Sequence, residues 1–281
     1  MAKIIKIFEN YNKIKEISEL ANDILKNVAI KFNNNIIERH KETDKLGFEF
    51  IPMVELKDIN YKDYNIIREY IKNENLTVRF YSKNNDDKLG DFDNSNKENN
   101  IINIFYELSF LIELNKIYEK NYKENNLNDY REYYINMYIK FHSTLIHEIQ
   151  HSYDNYISRG KFSNDKFTRD YTKASKLKKR KKENNVLSKK ELDFIEKNRK
   201  EYWKMPYEVN ARYSQTITDI SFYDMDLEVR KFKIKPFKEI LNDFTNRFIS
   251  WGLLDYKMKK RLKNRLYKDW IISKDLIKKK E

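Results

Sequence analysis

The chain has 281 residues, no cysteine, and a formal net charge of +13, from 57 Lys and Arg against 44 Asp and Glu. That length can bury a sizeable core, and 40% hydrophobic with 15% aromatic residues argues against a disordered chain despite 36% charged. The missing thiols exclude disulfide staples and cysteine-ligated metal, and no run is long and apolar enough to suggest a membrane span.

Four Gly and three Pro leave few breaks, which favours long helices. The first residues, Met1-Ala2-Lys3-Ile4-Ile5-Lys6, carry no apolar signal core, so a cytoplasmic or virion-associated location is expected. Ile4, Phe8, Tyr11, Ile14, Ile17, Leu20 and Ile24 recur at helical spacing and predict an amphipathic helix. Gly47–Phe50 and Leu76–Tyr81 alternate as strands do. Asp87-Lys88-Leu89-Gly90-Asp91 reads as a turn, Asp93–Asn100 as a polar loop, and Ile101–Tyr106 as a β-branched strand.

From Asn128 to Ser158 no Gly or Pro intervenes, and Tyr134, Tyr138, Phe141, Leu145, Ile149, Tyr153 and Tyr156 recur at three- and four-residue intervals. This helix contains His147-Glu148-Ile149-Gln150-His151, an H-E-x-x-H sequence. Two His residues four apart are neighbours on a helix, so both imidazoles can grip one ion. Relative to His147, His151 lies ~40° round the helix and Glu148 ~100°, where a carboxylate can act as general base on a water. Tyr138, Leu145, Ile149 and Tyr156 fall opposite, which predicts a half-buried site helix. His142, ~220° round, is expected to be a packed residue or to support the site indirectly. Asp154 shares the metal face but stands two turns along, ~10 Å from His147, so a supporting hydrogen bond or ion pair suits it better than ligation.

Lys176, Lys178, Lys179, Arg180, Lys181 and Lys182 form a basic block. With no aromatics interleaved it reads as a solvated loop, with nucleic-acid contact as the other reading. Ser188 and Glu191 predict a capping box at the start of a helix that ends before Pro206, where a new helix begins. A catalytic zinc usually takes three protein ligands and leaves a position for water. No His follows His151, so the third ligand is expected to be a carboxylate. Glu208, in the first turn after Pro206, is the best candidate, with Glu201, Asp219 and Asp154 as the others. Tyr207, Arg212, Tyr202 and Tyr153 are candidate donors to a transition-state oxyanion. Farther on, Phe237, Ile240, Leu241, Phe244 and Phe248 mark another helix, with Gly252 as its expected cap.

The HEIQH sequence followed by Pro206-Tyr207-Glu208-Val209-Asn210-Ala211 resembles the zincin metallopeptidases with a glutamate third ligand, the gluzincin-like type. It is most similar to the small, divergent zincin-like proteins of bacteria and phages. The resemblance covers roughly residues 76–220 and is specific at the two motifs; Arg212 stands where thermolysin-type enzymes carry an Asp. It implies one catalytic Zn2+ held by His147, His151 and Glu208, with Glu148 as base. It also implies a small sheet before the site helix, whose edge strand pairs with substrate; Ile101–Tyr106 and Val78–Tyr81 are the candidates for that edge.

The expected architecture is thus α+β, predominantly helical and zincin-like. It is expected to be a single domain over 1–281: a helical segment over 1–45, a metallopeptidase core over 46–220 and a helical segment over 221–281. The expected function is zinc-dependent peptide hydrolysis through a metal-activated water. The alternative is a nucleic-acid-associated or virion structural protein on the same scaffold with little or no peptidase activity.

Overall fold

The computed structural model describes residues 11–39, 53–82, 90–93, 100–106, 128–159, 170, 173–174, 176–177, 187–220, 222–226 and 231–278. The fold is α+β and mostly helical. The chain divides into two compact units, Lys15–Ser152 and Met1–Ile14 with Tyr153–Glu281.

The unit Lys15–Ser152 holds most of α1 (Tyr11–Arg39). Ile17, Leu20, Ala21 and Ile24 are each fully buried, so the predicted apolar stripe is the packed face. Ile4 and Phe8 lie outside the described residues, as does the expected Gly47–Phe50 strand. Glu16 on α1 is 8% exposed, and its carboxylate accepts from the backbone N–H groups of Asn65, Ile66 and Ile67 at 3.2, 2.8 and 3.0 Å. This satisfies donors at the start of α2 (Arg68–Asn73), whose own N-cap residue, Ile67, has no capping side chain.

The sheet of this unit contains β1 (Met53–Glu55), β2 (Leu76–Ser82), β3 (Gly90–Asp93) and β4 (Asn100–Tyr106), in the order β1-β2-β4-β3. β2 and β4 run parallel, and β1 and β3 pair antiparallel on their outer sides. The two strands expected at the sheet edge are therefore interior. Their residues explain it: Leu76, Val78 and Phe80 on β2 and Ile102 and Ile104 on β4 are all 2% exposed or less, as suits central strands. The edge next to β4 is β3, in a segment whose composition predicts a turn. Gly90 is not there to bend the chain. A Cβ at this position would meet Thr144 Cγ2 at 2.8 Å and Glu148 Cγ at 3.1 Å, so the missing side chain admits the site helix.

That helix, α3 (Asn128–Ser158), has the predicted bounds. Phe80 meets Phe141 edge to face, with ring centroids 5.9 Å apart, so β2 packs on it. The expected half-burial does not hold: every residue from Ser143 to Gln150 is buried, polar positions included. The helix is enclosed on both faces there, and its polar groups are packed with the rest. At the helix's end Arg159 takes a left-handed conformation, φ 54°, and its N–H closes on Tyr156 O at 3.0 Å.

The unit Met1–Ile14 with Tyr153–Glu281 contains α4 (Lys189–Tyr202), α5 (Pro206–Asp219), the hairpin β5–β6 (Tyr223–Asp226 and Lys231–Ile234), α6 (Phe237–Arg247) and α7 (Tyr256–Lys278). The capping box forms as predicted: Ser188 Oγ accepts from Glu191 N–H, and Ser188 N–H donates to Glu191 Oε2 at 2.8 Å. The core joins Val209, Tyr213 and Ile217 of α5 to Ile240 and Phe244 of α6, Leu262 and Leu266 of α7, and Phe248 and Ile14. Each fully buried Phe or Leu here contributes about 1.5–3 kcal/mol. Gly252 does not cap α6. That helix closes at Phe248, whose N–H returns to Phe244 O, and Gly252 lies in a one-turn 3-10 segment with open space where a Cβ would stand.

Candidate metal centre

The two imidazoles of the H-E-x-x-H sequence point at each other. His147 Nε2 and His151 Nε2 are 3.0 Å apart, with ring planes at 89°. Nitrogens at this separation share a proton or a cation, since two bare lone pairs would repel. His147 is 6% exposed and Glu148 7%, so both are withdrawn from water. Glu148 is also the residue whose Cγ closes on Gly90 of the edge strand. Thr144 Oγ1 donates to Lys140 O at 2.8 Å, which holds its methyl against the same glycine.

Glu208 is fully buried in the first turn of α5, a position created by Pro206 at its start. Its Oε1 accepts from Arg212 Nε at 2.9 Å, an i, i+4 ion pair. Arg212 is itself held: its guanidinium lies 4.7 Å from the Trp203 ring centre, and Nη1 donates to Gln215 Oε1 at 3.1 Å. Arg212 is thus a cation that orients the Glu208 carboxylate.

His147, His151 and Glu208 each offer one ligand atom, and these atoms lie within 4.8 Å of one another. Ligand atoms sharing one tetrahedral zinc, with bonds near 2.0–2.2 Å, stand roughly 3.3–3.5 Å apart. The imidazole pair is within a few tenths of an ångström of that spacing. Two neutral nitrogens and one carboxylate, with no thiolate, form a donor set suited to zinc and similar divalent ions.

The other carboxylates weighed as third ligand stand elsewhere. Glu201 pairs with Lys204 at 3.0 Å and is 43% exposed, and Asp219 is exposed. Asp154, 1% exposed, accepts from Asn210 Nδ2 at 2.7 Å. His142 contacts Ser18 Oγ and O through Nε2 at 3.3 and 3.2 Å and stacks on Tyr138, as a packed residue does. Burial lowers its pKa below the usual histidine range, while the Ser18 contact opposes the shift. Among the candidate oxyanion donors, Tyr207 donates to Met205 Sδ at 2.6 Å, Tyr202 packs on Trp203, and Tyr153 lies under the Lys13 ammonium at 5.3 Å. Arg212 contacts a candidate ligand, Glu208. In the basic block Lys176 is exposed, and Lys178, Lys179, Arg180, Lys181 and Lys182 lie outside the described residues.

Sequence reasoning missed a buried charged network. Asn210, fully buried, donates to Asp154 and accepts from Arg265 Nη1 at 2.9 Å. Arg265 lies over the Tyr213 ring at 3.8 Å, and Tyr213 OH donates to Asp269 Oδ2 at 2.5 Å. Lys13, 5% exposed, joins it electrostatically through Asp154 and Asp269. Burial drives its pKa down to about 8, with the two carboxylates opposing. Burial likewise pushes the Asp269 carboxyl up and the Arg265 guanidinium down. One signal was readable: Arg265 and Asp269 fall at i+3 and i+7 from Leu262, on the apolar stripe of α7.

No protein-family profile, curated protein or solved structure matches the chain.

Proposed function

We propose that this chain is a zinc-dependent metallopeptidase of zincin-like architecture. The observation that carries the reading is the convergence of His147, His151 and Glu208, all withdrawn from solvent wholly or in part, beside Glu148. A zinc held by these three would lower the pKa of a water to about 7 and polarise the peptide carbonyl. Glu148 takes the proton of the attacking water and delivers it to the departing amine. Arg212 fixes the Glu208 carboxylate through its hydrogen bond.

Substrate binding fits β3. It is the outer strand beside β4, and its first residue abuts Glu148. An extended peptide pairing there by backbone hydrogen bonds would lie next to the general base, and such pairing does not depend on side-chain identity.

Incubation of zinc-loaded protein with a proteome-derived peptide library, read by mass spectrometry, tests this. New termini are expected from the wild type and none from Glu148→Gln. A chelator should abolish cleavage and added zinc restore it. Cleavage by the Gln variant at the parental rate, or an inert zinc-loaded wild type, contradicts the proposal.

A further inference from the structure

We propose that the outward face of α7 binds single-stranded nucleic acid, at a site separate from the candidate metal centre and independent of the peptidase reading. Between Tyr256 and Lys274 the helix contains one acidic residue, Asp269, and it is buried. The exposed cations of that stretch are Lys257, Lys260, Arg261, Lys263 and Lys268. Their placement is ordered. Tyr256, Lys260, Lys263 and Tyr267 recur at i, i+4, i+7 and i+11, which sets them on one line ~16 Å long. Lys257, Arg261 and Lys268 run beside it at i, i+4 and i+11.

The line thus alternates the two chemistries that a single strand requires. Cations neutralise phosphates and release counterions, and exposed aromatic faces stack on unpaired bases without regard to sequence. Tyr256 is 77% exposed and Tyr267 48%. Tyr267 is braced from behind by Phe237 and Trp270, at centroid distances of 5.1 and 5.7 Å, so it is a fixed platform. The exposed lysines of α4 differ: Lys189, Lys190, Lys197 and Lys200 share their surface with Asp193 and Glu196, and Lys200 pairs with Glu196 at 3.4 Å. A membrane surface fits α7 less well. A helix lying on lipid needs an apolar face to insert, and the apolar face of α7, with Leu262 and Leu266, is buried in the core.

Fluorescence anisotropy with labelled oligothymidylate tests the site on the full chain. Joint replacement of Lys257, Lys260, Arg261 and Lys263 by Gln should weaken binding at least about tenfold and flatten the salt dependence by about 0.7 in log–log slope per lost phosphate contact. Tyr256→Ala and Tyr267→Ala should each weaken binding about fivefold or more and leave the salt slope unchanged. The matched α4 variant, with Lys189, Lys190, Lys197 and Lys200 all Gln, should bind within about twofold of wild type. Equal losses in the α4 and α7 variants, unaffected tyrosine variants, tighter binding of duplex, or no binding at low salt would each overturn the proposal. So would flotation with anionic vesicles that depends on Ile249 and Leu253, the exposed apolar pair preceding α7, without oligonucleotide binding.

Discussion

At the residue scale, the site depends on close approach as much as on ligand identity. A Cβ at Gly90 would stand 2.8 Å from the Thr144 methyl, and that methyl is held because Thr144 Oγ1 is hydrogen-bonded to Lys140 O. Gly90→Ala should therefore push β3 and α3 apart and cost about 1–3 kcal/mol, seen as a lower denaturant midpoint. Thr144→Ser removes the clashing methyl and should recover part of that loss in the double variant. An Ala variant as stable as the parent would mean the two elements yield easily. The roles of His147, Glu148, His151 and Glu208 are legible as candidates because helical spacing and Pro206 fix where they stand. Gly90 is not legible, because a Gly-Asp pair has the composition of a turn and its reason for being Gly comes from a helix more than fifty residues away.

At the element scale, Asn210 holds the end of α3 to α5 through Asp154 and holds α5 to α7 through Arg265. Asn210→Ala leaves a buried carboxylate and a buried guanidinium each short of that partner. It should destabilise the fold by about 2–4 kcal/mol, measured by chemical unfolding, and a loss under ~0.5 kcal/mol would show that the network is redundant. Lys13 gives the network a pH signature. Its folded pKa is depressed to about 8, below its value of 10.5 when unfolded. Between these pH values the unfolded chain holds more protons, so this group's contribution to stability rises with pH across that window. Wild type should therefore gain stability relative to Lys13→Met on going from pH 8 to 10, and parallel curves would contradict the assignment. The bounds of α3, the capping box of α4 and the start of α5 follow from local chemistry and are readable in sequence. The order of the sheet is not: Leu76–Tyr81 reads as an alternating strand and Ile101–Tyr106 as a β-branched one, and only their pairing with each other and with β1 and β3 places them inside. The network is hidden for a similar reason, since its partners come from four helices.

At the scale of the whole molecule, a metal that binds the folded chain and not the unfolded one must stabilise it by mass action, about 4 kcal/mol at a thousandfold excess over Kd. Chelation should lower the melting temperature of wild type and of Glu148→Gln alike and leave His151→Ala unchanged, read by differential scanning fluorimetry. The net charge of +13 is legible at once, but its distribution is not. The conspicuous lysine block reads as the basic feature, whereas the basic face of α7 is spread along the helix at helical spacing and emerges only when burial separates Asp269 from the exposed side.

The proposed peptidase chemistry requires that His147, His151 and Glu208 hold one metal ion. Inductively coupled plasma mass spectrometry of protein purified without added metal or tag-derived ligands tests it most directly. About one zinc per chain is expected in wild type and Glu148→Gln, and a loss of most of it in His147→Ala, His151→Ala and Glu208→Ala. A wild type without metal, or metal retained in all three alanine variants, would contradict it.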